Sequence, residues 1–228
     1  RNILDKRDIL ARSSYIPREL SLDYGFLGKT QKIVVIVGPR RAGKSVFLRQ
    51  IADELGLSAN ERIFIDFSEI PWIDFLSADP EEWHRLYEVA LEFSGTPVLL
   101  MDEIQELSEF AGGLRYLMNR GCTVFVTGSN VQVFEENLAA VLRGKVLVYR
   151  LYPLSFSEYL RFMDLSFPDV LTSVEEAERT RALREFLRWG GFPEVVLAGS
   201  EDLKQSLLDS YVEIMLFRDV VERWNVQN

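Results

Sequence analysis

The chain has 228 residues, 47% of them hydrophobic, and a formal net charge of −9. That is enough apolar material for a full core, while the acidic balance excludes a general polyanion-binding surface, which needs a basic excess. A single cysteine, Cys122, excludes an internal disulfide, and one Cys with one histidine, His84, cannot fill the four places of a zinc site.

No apolar run approaches the roughly 20 residues of a membrane span, and no stretch reads as a secretion leader. A reducing, cytoplasmic setting is expected, with no membrane partner. Cys122 precedes the apolar run Thr123-Val124-Phe125-Val126 and reads as a buried residue at a strand edge. His84 lies in the helix-like stretch Pro80–Leu86, away from other chemical signals, and reads as a surface histidine.

The first strand is expected at Ile33–Val37, inside a β-branched run typical of buried parallel strands. It leads into Gly38-Pro39-Arg40-Arg41-Ala42-Gly43-Lys44-Ser45, which meets G-x-x-x-x-G-K-[ST] at every fixed position. A helix is expected over Lys44–Leu55, with Val46, Leu48, Ile51, Ala52 and Leu55 at helical spacing. Strand, glycine loop and helix in this order are the context a phosphate loop requires. Triphosphate oxygens need inward-pointing N–H groups, a long cation and a hydroxyl for Mg²⁺. The nucleotide-binding set is therefore Gly38 to Val46, with Lys44 on the β/γ-phosphates and Ser45 on the metal. The helix N-terminus adds its positive end.

Further strands are expected at Arg62–Phe67, Pro97–Asp102, Thr123–Thr127 and Lys145–Arg150. Helices are expected at Pro80–Phe93, Ser108–Arg120 and Val131–Leu142, the first started by Asp79 and Pro80. The run Pro97–Met101 ends in Asp102-Glu103. Asp102 is expected to orient Mg²⁺, and Glu103 to polarise a water for attack on the γ-phosphate. Ser129 and Asn130, after the fourth strand, either sense the γ-phosphate or cap the next helix. Arg143 and Lys145 flank Gly144, and either reach a phosphate or face a helix C-terminus. Arg40 and Arg41 are also open to pairing with acidic residues or to facing a partner. No guanine-reading Asn-Lys-x-Asp occurs, so ATP/ADP is preferred as ligand.

After Pro153 the pattern turns helical. Ser155–Glu158 and Ser173–Glu176 each read as a capping box, opening helices to about Met163 and Trp189. Ser200-Glu201-Asp202 opens a third, with an apolar stripe of Leu203, Leu207, Tyr211, Ile214, Met215, Val221 and Trp224. The expected architecture is α/β: a three-layer P-loop core of the RecA/AAA kind over 1–153, its five-stranded sheet mostly parallel, and a helical lid over 154–228.

These segments together resemble a prokaryotic family of AAA-type ATPases that carry an uncharacterised C-terminal domain. The resemblance rests on Gly38–Lys44, Met101–Gln105, Thr127–Ser129, Pro153–Tyr159, Gly190–Glu194 and Arg218-Asp219. It implies water-activating ATP hydrolysis, with a domain continuing past the end of this sequence. It also implies adenine contact at the turn Gly190-Gly191-Phe192-Pro193, through Gly191 and Pro193, with Tyr15, Ile16 and Pro17 as the other wall. Lys145 stands where the family often has arginine, and lysine lacks the planar fork of a finger. The expected activity is an Mg²⁺-dependent ATPase coupled to lid movement. The alternatives are a nucleotide-gated signalling switch, or an ATPase acting on DNA through a further domain. The protein partner is unknown, an oligomer is allowed, and the charge does not support DNA contact by these residues.

Overall fold

A computed structural model describes residues 14–27, 30, 32–58, 61–68, 76, 81–107, 110–129 and 144–216. The expected helix Val131–Leu142, with Asn130 and Arg143, lies outside the described residues, as do Pro80, Ser108, Arg218, Asp219, Val221 and Trp224. Two compact units are formed. One runs through Gly38 and again from Lys44 to Leu151; the other joins Pro39–Gly43 to the chain from Tyr152.

The first unit is built on β1 (Ile33–Val37), β2 (Arg62–Asp66), β3 (Val98–Asp102), β4 (Thr123–Gly128) and β5 (Val146–Arg150). They form one sheet in the order β2-β3-β4-β1-β5, and every pairing is parallel. All of β1 is buried because alternate residues feed two cores. Ile33, Val35 and Val37 pack into one, Val34 and Ile36 into the other. A sheet covered on both faces needs such continuous apolar strands, whereas the edge strand β5 is only partly buried.

The helices of this unit are α1 (Tyr24–Leu27), α2 (Lys44–Glu54), α3 (Glu81–Phe93) and α4 (Phe110–Asn119). On one face α2 packs Phe47, Leu48, Ile51 and Ala52 against Val34, Ile36, Leu100 and Phe125. On the other, α3 and α4 supply Trp83, Leu86, Phe110, Leu114 and Leu117. Val46 was expected in the apolar stripe and is instead 37% exposed; Phe47 takes the core position, one residue on. Gly113 lets α4 approach α3, since a Cβ there would sit 2.0 Å from the Trp83 ring. Cys122 is buried as expected, and burial pushes its thiol up to about 11, which disfavours the thiolate. His84 is half exposed and bonds the Tyr116 hydroxyl at 2.8 Å and Glu88 at 3.3 Å.

Residues 14–24 run along α2 and are tied to it. Gln50 accepts from Arg18 N (2.7 Å) and donates to Arg18 O (3.0 Å). Tyr15 donates to Asp53, and Tyr24 to Glu54, each at 2.6 Å.

The second unit contains α5 (Phe156–Phe162), α6 (Ser173–Trp189), α7 (Pro193–Val196) and α8 (Glu201–Leu216). The capping box of α5 is the expected Ser155–Glu158 pair. That of α6 is Thr172 with Glu175, not Ser173 with Glu176, so the helix starts one residue earlier than expected. Small cores gather around Leu154, Tyr159 and Val196, and around Trp189, Val195 and Tyr211. No helix among the described residues is long and apolar enough to cross a membrane.

Candidate functional site

Strand order decides which chain ends meet. Because β4 lies between β1 and β3, the carboxyl end of β4 separates the start of the glycine loop from the acidic pair. Open parallel sheets bind ligands at such carboxyl ends.

Gly38 closes β1, and its N–H donates to Gly128 O at 3.2 Å. A Cβ on Gly38 would fall 2.0 Å from Leu151 O, so this glycine is required first by the neighbouring backbone. Further along the loop, Arg41 (φ 67°) and Gly43 (φ 93°) are left-handed. Glycine adopts that region freely; arginine does so at a cost.

Lys44 opens α2 and is almost fully buried. Its Nζ donates to Gly38 O (3.2 Å) and stands 3.2 Å from Glu103 Oε1. Asp102, at the end of β3, is 4% exposed. Burial raises its carboxyl; hydrogen bonds from Ser45 and Thr127 pull the other way; the charges of Glu103 and Asp66 raise it further, and the net shift is upward. A desolvated carboxylate beside the Ser45 hydroxyl suits a hard divalent cation. Among the described residues no group of three or more His, Cys, Asp or Glu gathers to hold a metal. An ion here would draw its other ligands from phosphate and water, as Mg²⁺ does.

Glu103 has φ 51° and ψ 46° and enters the 3₁₀ turn Ile104–Glu106. Its strained backbone is held from β4: Glu103 N donates to Thr127 Oγ1 at 3.0 Å, and the same hydroxyl donates to Asp102 Oδ1. One threonine thus orients both carboxylates. Gln105 Nε2 donates to Glu103 Oε2 and to Ser129 Oγ, the latter at 3.3 Å. Thr127 and Gln105 were not assigned from sequence. Their signal was present in the Thr-Gly-Ser strand end and in the glutamine two places after Glu103.

The structure therefore brings Lys44, Ser45, Asp102, Glu103 and Ser129 together in the first unit. Arg41 is engaged within the second unit: Nη1 donates to Glu194 Oε2 at 3.2 Å, and the guanidinium lies over the Tyr211 ring, 5.6 Å from its centroid. Gly191 and Pro193 have local tasks there. Gly191 O accepts from Leu154 N at 2.7 Å, a Cβ on Gly191 would meet Leu154 O at 2.3 Å, and Pro193 starts α7. Tyr15 is held by Asp53 and lies under the Arg49 guanidinium. Lys145 is exposed.

Residues 30–160 match a family model described as an AAA domain. An uncharacterised protein of Methanocaldococcus jannaschii is 33% identical over 226 residues, covering 99% of this chain and 49% of its own length. An uncharacterised protein of Haemophilus influenzae is 29% identical over 208 residues, covering 87% and 48%. The chain thus spans about half the length of these relatives. Among solved structures, the replication initiator DnaA bound to AMPPCP and single-stranded DNA has a TM-score of 0.47 at 16% identity, over 94% of this chain and 73% of that one. C. elegans PCH-2 has a TM-score of 0.44 at 13% identity, over 82% and 47%.

Proposed function

Because this chain belongs to the AAA-domain family, we propose that it binds ATP with Mg²⁺ and hydrolyses it to ADP and phosphate. The observation that carries this reading is the convergence of Lys44, Ser45, Asp102 and Glu103 at the carboxyl ends of β1 and β3. Lys44 is assigned to the β/γ-phosphates. Ser45 and Asp102 are the residues that would hold the metal, whose role when bound is to neutralise charge on the phosphate oxygens. Glu103 accepts a proton from the attacking water, and Ser129 offers a hydroxyl toward the phosphate or that water. The work is electrostatic and positional, since the phosphoryl transition state asks for little covalent chemistry.

Lys44→Ala should abolish ATP binding, measured by fluorescence titration. Glu103→Gln should retain binding and stop phosphate release. Turnover of the Glu103→Gln variant at the wild-type rate would remove the base assignment.

A second reading is a nucleotide-gated switch with slow hydrolysis. The Lys44–Glu103 pair favours it, because the base is already engaged by a cation. Tight ADP retention through purification, with negligible turnover, selects this reading. DNA-stimulated turnover that disappears with salt would add a DNA partner.

A further inference from the structure

Gln105 has an arrangement that the reaction as described above does not use. Its side-chain N–H groups go to Glu103 Oε2 and Ser129 Oγ, while its Oε1 is buried with no hydrogen-bond partner among the described residues. The amide orientation is fixed by chemistry. A carboxylate only accepts, so the nitrogen must face Glu103. Ser129 accepts from the same nitrogen and keeps its own O–H to donate.

The cost of this arrangement is an unpaired buried carbonyl oxygen, usually paired in native structures. A leucine of similar size would avoid it. What the glutamine supplies instead is a second anchor for Glu103. The carboxylate is otherwise held by Lys44, through Oε1. When Lys44 turns to phosphate oxygens, that anchor weakens and the amide on Oε2 persists.

We propose that Gln105 is a positioning residue for ATP hydrolysis. It holds the Glu103 carboxylate in place through Oε2 and ties it to Ser129, so that the water-activating group and the phosphate-facing hydroxyl move as one unit. The proposal rests on the ATPase reading of the site.

The test uses Gln105→Leu, with Gln105→Asn as the shorter amide should leucine fail to fold. Loss of positioning should lower kcat about 10- to 100-fold, the usual effect of a misplaced catalytic group. KM and ATP affinity by fluorescence titration should stay within roughly twofold, because Gln105 does not touch the nucleotide-binding set. In a Glu103→Ala background the same substitution should have no further effect, since groups acting as a unit are not additive. A denaturation cycle of Gln105→Leu with Glu103→Ala, which removes the accepting oxygen, should be non-additive in midpoint; this reads the contact without any turnover. The proposal is overturned if kcat stays within about twofold of wild type, if affinity and kcat fall together, if the residual rate of Glu103→Ala falls further, or if the cycle is additive. Wild-type protein that binds ATP without turning it over removes the parent reading, and this proposal with it. Turnover that Gln105→Leu leaves intact removes the proposal alone.

Discussion

Lys44 Nζ and Glu103 Oε1 stand 3.2 Å apart, so the cation assigned to phosphate and the carboxylate assigned to water are each other's partner. Both are shielded, with the two side chains 3% and 19% exposed. A triphosphate held by Lys44 would therefore compete with Glu103 for it. Glu103→Gln removes the competitor and takes one counter-charge away from a buried ammonium. The variant should be less stable by about 1–3 kcal/mol without ligand, the range for an undercompensated buried group. It should also bind ATP several-fold more tightly. Thermal melting with and without MgATP checks both, and an affinity equal to wild type would count against the competition.

Thr127 makes a second prediction. Its hydroxyl accepts from Glu103 N and donates to Asp102, so valine keeps the shape and strands two polar groups. Thr127→Val should cost about 2–4 kcal/mol, one to two unmet buried bonds, and should slow hydrolysis because Glu103 loses its left-handed anchor. Thr127→Ser keeps the hydroxyl and should recover most of both. Urea denaturation and phosphate release measure the pair of variants.

How far these features were legible depends on where their cause lies. The strands were legible to within one residue at each end, because a parallel strand buried on both faces must be continuously apolar, as Ile33–Val37 is. Lys44, Ser45, Asp102 and Glu103 were legible as motif positions. Thr127 and Gln105 were not, since their tasks lie across the β3–β4 pairing and leave no local periodicity. The start of α6 was undecidable locally: Thr172-x-x-Glu175 and Ser173-x-x-Glu176 are the same signal one residue apart. Val46 misled because its neighbour Phe47 fits the same helical face with more area to bury. Gly38 was legible for a partial reason, as the Leu151 backbone requires it before any phosphate does.

The strap over α2 predicts a pH dependence. Asp53 bonds the Tyr15 hydroxyl at 2.6 Å and Arg62 at 2.5 Å. Partial burial raises the Asp53 carboxyl, but the hydrogen bonds from Tyr15 and Arg62, with the Arg62 and Arg49 charges, outweigh it and the net shift is downward. A lowered carboxyl contributes stability that is present above its unfolded value, about 4, and is lost as pH falls through the folded value. Tyr15 has the opposite sense. Burial and Asp53 push it up to about 12, so its contribution is present below its ordinary value near 10 and is lost as pH rises through about 12. Asp53 is 40% exposed, so screening holds its contribution to about 1 kcal/mol or less. Asp53→Asn should be less stable than wild type at pH 7, with the gap closing below about pH 4. Urea midpoints across pH 3–7 measure it, and a gap that stays constant would contradict the lowered carboxyl.

The last prediction separates strain from contact at Arg41. This residue is left-handed at φ 67°, and its side chain meets Glu194 at 3.2 Å and the Tyr211 ring at 5.6 Å. Arg41 and Glu194 are about half exposed, 53% and 50%, so their pair contributes about 1 kcal/mol or less. The ring contact adds roughly 0.5–1 kcal/mol. Arg41→Ala loses both contacts and keeps the left-handed penalty. Arg41→Gly loses the same contacts but relieves about 1–2 kcal/mol of that penalty, against about 0.5–1 kcal/mol of added freedom in the unfolded chain. The glycine variant should therefore be the more stable of the two, by about 0.5–1 kcal/mol. Because Glu194 keeps the Tyr211 hydroxyl as a donor in both variants, its carboxylate is equally served and cancels in the comparison. Denaturant midpoints of the two proteins supply the measurement. Equal midpoints would mean that the loop relaxes out of its left-handed turn once the side chain is gone, and that Glu194 and Tyr211 impose the turn rather than merely occupy the end of it.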